Sequence, residues 1–197
     1  MTSEEVDARI NSFKEDLPRL SSLQMVRKHI TFGSVAAMKE EFYFDLKDLI
    51  AGHFAIHPSQ VIIVGSGKLG FSIAENQKAN PPKKRYRCFS DSSDIDIAIV
   101  ESSLFDEIWI EVQNYSDDIG LWNNFQHFTT YLFRGWIRPD KLPPSYTFEL
   151  AKDWWEFFRE LTSSRKFGPY KLTAGLYKSW YHLEKYQMQA INQCKEI

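Results

Sequence analysis

Val61-Ile62-Ile63-Val64-Gly65-Ser66-Gly67-Lys68-Leu69-Gly70-Phe71-Ser72 runs from a short apolar segment directly into a glycine-rich one. The apolar run reads as a buried strand, and the glycines as a turn leading into a small-residue helix start around Gly67–Ala74. Further on stands Ser93-Asp94-Ile95-Asp96-Ile97-Ala98-Ile99-Val100. Alternate side chains of a strand share a face. A strand over 94–100 therefore turns Asp94 and Asp96 one way and sends Ile95, Ile97 and Ile99 the other way, into a core.

Helical patterns flank this pair of strands. Thr2 and Glu5 have capping-box spacing, and Val6, Ile10 and Phe13 follow at helical intervals. Pro18 ends or restarts that helix, and Leu20, Leu23 and Val26 suggest a second, short one. Gly33-Ser34 opens a third, with Met38, Phe42, Leu46 and Ile50 as its stripe and Gly52 near its end. Asn80-Pro81-Pro82-Lys83-Lys84-Arg85-Tyr86-Arg87 cannot continue a helix, because tandem prolines remove donors and clash with the preceding turn. Residues 75–92 thus read as a basic exposed loop. After residue 100 the pattern is mostly helical, over roughly 103–115, 119–135, 146–163 and 174–194. Tyr170-Lys171-Leu172-Thr173-Ala174 fits a short third strand before the last helix. The expectation is one α/β (α+β) domain, with N-terminal helices over 1–58, a motif-bearing core over 59–102 and a mainly helical part over 103–197.

The bulk numbers narrow the classes. Apolar residues make up 43% of the 197 residues, enough for a core and against disorder. The net charge of −2 creates no global field for nucleic acid or anionic lipid, so any polyanion site is local. Cys88 and Cys194 make neither a disulfide framework nor, alone, a zinc site. The polar start Met1-Thr2-Ser3-Glu4-Glu5 lacks the pattern of a signal peptide, and no apolar stretch is long enough to span a bilayer. A cytoplasmic protein with no membrane partner is expected.

Two carboxylates on one strand face repel unless a cation sits between them. Oxygen-only ligation, completed by substrate phosphates and water, suits Mg²⁺ or Mn²⁺. For an isolated Asp-x-Asp the plainer reading is a turn cap and a solvent-facing strand residue. The glycine-rich turn upstream shifts the balance. A P-loop is ruled out there, because Phe71 stands where the lysine is needed and Lys68 is misplaced. Gly65-x-Gly67-x-x-Gly70 matches the dinucleotide fingerprint literally. The Pro-Pro segment, acids at the start of the second strand and the lack of further βαβ units argue against it. The remaining mechanism is phosphate gripping, with Gly65 admitting a phosphate close to the backbone and Ser66 supplying a hydroxyl.

Gly65-Ser66, Gly70-x-Ser72 and Ser93-Asp94-Ile95-Asp96 together resemble the signature of the DNA polymerase β-type nucleotidyltransferase superfamily, including its minimal and oligoadenylate-synthase-like members. The resemblance covers residues 61–100. It implies a small mixed sheet with packed helices, two-metal catalysis, and transfer of NMP from an NTP to a hydroxyl on RNA, a protein or a nucleotide. It also implies a bacterial toxin–antitoxin or defence setting. Carried over, it makes Asp94 and Asp96 the catalytic metal ligands and Gly65, Ser66, Lys68, Ser72 and Ser93 the nucleotide-binding set. The superfamily normally adds a third carboxylate from a later strand. Tyr170–Ala174 carries none, and Asp117, Asp118, Asp140 and Glu149 are candidates by residue type only. A degenerate relative that binds a nucleotide or a protein is the alternative.

Other features read as structure. The basic run could follow a nucleic-acid backbone, but charge runs usually face water. Phe148, Ala151, Trp155, Phe158 and Thr162 form a core stripe. Tyr177, Trp180, Tyr181 and Leu183 read the same way. His53 and His57, bracketed by Gly52 and Pro58, do not make a ligand pair on one helix.

Overall fold

The computed structural model describes residues 2–75, 82 and 84–196. Helix α1 (Ser3–Asp16) begins at the expected capping box, with the Thr2 side chain accepting from Glu5 N–H and Glu5 accepting from Thr2 N–H. Its buried side is Val6, Ile10 and Phe13. Helix α2 (Ser22–Val26) runs on through a π-helical turn at Arg27–Thr31.

Helix α3 (Glu40–His53) starts later than Gly33-Ser34 suggested. Residues ahead of it are tied to the glycine-rich turn instead: Ala36 and Ala37 N–H donate to Gly67 O at 3.1 and 2.8 Å. The stripe shifts accordingly. Leu46 and Ile50 are buried and Tyr43 is half-buried, while Phe42 is exposed.

Strand β1 (Val61–Val64) is buried throughout and passes into α4 (Gly65–Leu69). The helix expected over Gly67–Ala74 stops early. Gly70 takes the left-handed conformation (φ +89°), and its N–H returns to Ser66 O at 2.8 Å. The chain then enters β2 (Phe71–Ser72), which pairs antiparallel with β3 (Arg87–Cys88). The basic segment is therefore partly a hairpin. Pro82 and Lys84 are exposed, and Arg85 donates to Gln193 O at 2.7 Å. Asn80, Pro81 and Lys83 lie outside the described residues.

Strand β4 (Ile95–Val100) follows, then α5 (Ser102–Asp118) and α6 (Phe125–Phe133). Strand β5 (Trp136–Ile137), which the pattern did not indicate, follows directly after the segment expected to be helical over 119–135. Helix α7 (Glu149–Ser164) buries Ala151, Trp154 and Phe158 with Phe148 just before it, so Trp154 replaces Trp155 in the expected stripe. The third strand is present as β6 (Leu172–Tyr177). It takes Ala174 and Tyr177 into the sheet and delays the last helix, α8, to Trp180–Lys195.

The main sheet has the order β1-β4-β6-β5, with β4 parallel to β6 and the other pairs antiparallel. The dinucleotide fold needs its first two strands parallel; β1 and β4 run antiparallel, which removes that reading. The fold is a mixed α/β arrangement, and its C-terminal half supplies two of the four main strands.

Helices cover both faces of the sheet. Val61, Ile63, Ile95, Ile97, Ile99, Leu172 and Leu176 pack with buried residues of α3, α5 and α7. Ile62, Val64, Ala98, Val100 and Tyr177 pack with buried residues of α1, α2 and α8. Truncating a buried isoleucine in either layer to alanine costs about 2–5 kcal/mol. Among the described residues no helix is long and apolar enough to cross a membrane.

Candidate functional site

The register puts Val64 opposite Asp96 on one side and Thr173 opposite it on the other. Asp96 faces the layer of α1, α2 and α8, and there it floors a cavity of about 730 Å³. Gly65, Ser66, Ser72, Lys171, Thr173, Trp136, Arg138 and Tyr186 share its walls.

Gly65 sits against the carboxylate. It has φ +63°, and a Cβ placed on it would lie 3.0 Å from Asp96 Oδ2. Any larger residue would be strained there and would crowd the acid. The other oxygen, Oδ1, accepts from Thr173 Oγ1 at 3.1 Å. Asp96 is exposed to solvent through the cavity, although protein is packed closely around that opening. Desolvation by this protein raises its pKa; the Thr173 hydrogen bond opposes the shift, the Asp94 charge adds to it and Lys171 draws it back.

Asp94 is exposed and lies one residue before β4 begins, so the strand carries one of the two acids. It does not line the cavity, although its charge acts on Asp96. Ser93 closes a turn, its N–H donating to Ser90 O at 2.8 Å and its Oγ accepting from Ser90 N–H at 3.1 Å. It too is outside the cavity. Ser72 lines the wall, with its hydroxyl donating to Ala74 O at 3.2 Å.

Lys68 is placed elsewhere. It is 4% exposed, its ammonium donates to Gly33 O, and it does not line the cavity. One helical turn carries Ser66 and Lys68 on different sides, because residues two apart do not share a helix face. Burial pushes the Lys68 pKa down to about 8, and the charges of Arg9 and Lys47 push the same way.

The wall beyond β6 is aromatic and basic. Trp136 stacks on Tyr177 with centroids 5.5 Å apart and lies 4.3 Å from the Tyr186 ring. Arg138 holds Asp140 by two hydrogen bonds, 2.9 and 3.1 Å, and also donates to Tyr131 OH. Burial raises the Asp140 carboxyl, but Arg138 and Lys141 outweigh it and keep the group below its ordinary value.

No later acid joins Asp96 on the sheet. β6 carries Thr173 where a facing carboxylate would stand. Asp117 and Asp118 end α5 and Glu149 pairs with Lys152 at 3.0 Å, all three outside the cavity, whereas Asp140 lines it, held by Arg138 and Lys141. Among the described residues no group of three His, Cys, Asp or Glu side chains is placed to hold a metal ion.

Thr173 could be anticipated from the Tyr170–Ala174 strand by alternation. Trp136 reads in the sequence as a candidate base-stacking residue with core packing favoured, whereas Arg138, Lys171 and Tyr186 carry no local signal, because distant parts of the chain bring them together. No family model matches this chain, and neither a curated protein nor a solved structure is significantly similar to it.

Proposed function

We propose that this chain is a polymerase β-type, metal-dependent nucleotidyltransferase that binds an NTP in the cavity over Asp96. One observation carries the reading. The glycine-serine turn and the aspartate motif, far apart in sequence, meet in space, with Gly65 packed against the Asp96 carboxylate and Ser66 on the same wall. The order β1-β4-β6 in a small mixed sheet flanked by helices supports the fold that the resemblance implies.

The donor set fits a hard divalent cation. Asp96 keeps Oδ2 free of any hydrogen bond among the described residues, and Asp94 places a second negative charge nearby. Bound Mg²⁺ or Mn²⁺ would supply charge stabilisation for phosphoryl transfer. Asp96 and Asp94 would hold the cation. The Ser66 hydroxyl and the backbone at Gly65 would position the phosphates, Lys171 would offset their charge, and Thr173 would orient Asp96. The protein's contribution is positioning and electrostatics.

A second reading, nucleotide binding without transfer, is favoured by Thr173 in the place of a third acid. The test offers each α-labelled NTP with Mg²⁺ or Mn²⁺ and a cell extract to the wild type and to Asp94→Asn/Asp96→Asn. Label transfer by the wild type alone supports the enzyme. Metal-dependent NTP binding without transfer supports the second reading. Absence of NTP binding in the wild type sinks both.

A further inference from the structure

β6 leaves a row of backbone groups facing the cavity. Ile95 N–H donates to Lys171 O at 2.8 Å, and Glu101 N–H donates to Tyr177 O at 3.2 Å. In a parallel ladder, alternate residues turn both amide groups to one neighbour and those between turn them away. Lys171, Thr173, Gly175 and Tyr177 therefore serve β4, while Leu172, Ala174 and Leu176 face outward.

Leu176 is paired with Ile137 of β5. The same register would next put residue 139 opposite Ala174. That residue is Pro139, which has no N–H and opens a 3₁₀ turn, so the ladder ends. Leu172 N–H is taken by Thr162 Oγ1 at 3.1 Å. This leaves Leu172 C=O, Ala174 N–H and Ala174 C=O without a protein hydrogen-bond partner among the described residues. All four residues of Leu172–Gly175 line the cavity. Ala174 is half-buried and its amide groups open on the cavity, so an acceptor–donor–acceptor edge stands beside the carboxylate, available to a ligand.

We infer that this edge reads the base of the bound nucleotide and selects adenine, an inference that rests on the nucleotide-binding reading above. The Watson–Crick side of adenine presents an amino donor, the N1 acceptor and a polarised C2–H, matching Leu172 C=O, Ala174 N–H and Ala174 C=O in order. Guanine and uracil each put a ring N–H against Ala174 N–H, whichever way they are turned. Cytosine puts its O2 against one of the two carbonyls. Only adenine meets the edge without a like-against-like pair, and an unmatched buried pair is costly. The edge and the carboxylate belong to one cavity: Thr173, between Leu172 and Ala174, is the register partner of Asp96.

The test measures equilibrium binding of ATP, GTP, CTP, UTP and 1-deaza-ATP, whose ring N1 is replaced by C–H, all with Mg²⁺. The wild type should bind ATP about tenfold or more tighter than the other three NTPs, and 1-deaza-ATP about tenfold more weakly than ATP. Ala174→Pro removes the outward N–H while sparing the β4 ladder. In it, ATP and 1-deaza-ATP should bind to within about threefold of each other. Equal affinity of the wild type for the four NTPs, or for ATP and 1-deaza-ATP, overturns the inference and leaves the nucleotide-binding reading standing. If no NTP binds, the nucleotide-binding reading fails and the inference with it. Should Ala174→Pro not fold, the wild-type comparison of ATP with 1-deaza-ATP decides alone.

Discussion

The two strands that floor the cavity differ in what they leave unsatisfied. β4 is hydrogen-bonded on both sides, by β1 and β6, so all it offers a ligand is a side chain, Asp96. β6 is paired with β4 along its length but with β5 only at Leu176 and Tyr177, so it offers backbone. A central strand can carry a charge that substitution removes atom by atom. A half-covered strand carries a recognition edge whose chemistry no side chain encodes, and whose existence depends on a proline in another element. Thr173 is where the two meet, a β6 hydroxyl bound to the β4 carboxylate.

The sharpest blow to the β4 side is Asp96→Asn, which keeps the shape and removes the charge. NMP transfer should fall by about a hundredfold or more, measured as label incorporation at saturating NTP and metal. Unchanged transfer would move the chemistry away from β4.

Thr173→Asp probes the junction by giving β6 a carboxylate opposite Asp96. Mn²⁺ affinity, measured calorimetrically, should rise about tenfold as ligand charge increases. Stability without metal at pH 7 should fall by about 1 kcal/mol, because like charges then face each other across paired strands. If metal affinity does not change, the cation is not held at this junction.

Gly175→Ala breaks the β6 side. A Cβ there would lie 2.5 Å from Trp136 Nε1, so the indole would have to leave its stack on Tyr177. A loss of about 1–3 kcal/mol by urea denaturation is expected, with a change in tryptophan fluorescence. A neutral result would show that β5 is loosely held against β6.

This asymmetry also explains what could be read in advance. Val61–Val64 and Ile95–Val100 announce themselves because a strand buried on one or both faces needs a continuous or alternating apolar run. Gly65, Ser66 and Asp96 are legible because a close backbone approach and a charge on a sheet each demand particular residue types. Lys68 illustrates the converse. A lysine beside a glycine-rich turn suggests a phosphate ligand, and only the packing of the segment before α3 shows its ammonium buried against Gly33 O. β5 escaped notice because Trp136–Ile137 is too short for a periodic signal. The β6 edge has no residue signature; it follows from register, and register from the way three distant segments pair.

The smallest expected effect separates the two strands by pH. Desolvation raises the Asp96 pKa, so the folded state holds a proton at pH values where the unfolded chain has released it. The stability linked to this group is complete below the ordinary aspartate value and is lost as pH rises through the raised one. At pH 7 the metal-free wild type therefore carries a penalty that Asp96→Asn does not. The variant should be the more stable of the two in urea at pH 7, by less than about 1 kcal/mol because water screens the carboxylate through the cavity. The gap should close as pH falls toward the ordinary aspartate value, and saturating Mg²⁺ should close it at pH 7 by stabilising the wild type alone. Thr173→Val should widen the wild-type penalty, since it deletes the hydrogen bond that opposes the shift. A variant less stable than the wild type by an amount independent of pH would mean that Asp96 is not desolvated, and the contrast between a charged β4 and a backbone-presenting β6 would lose its electrostatic half.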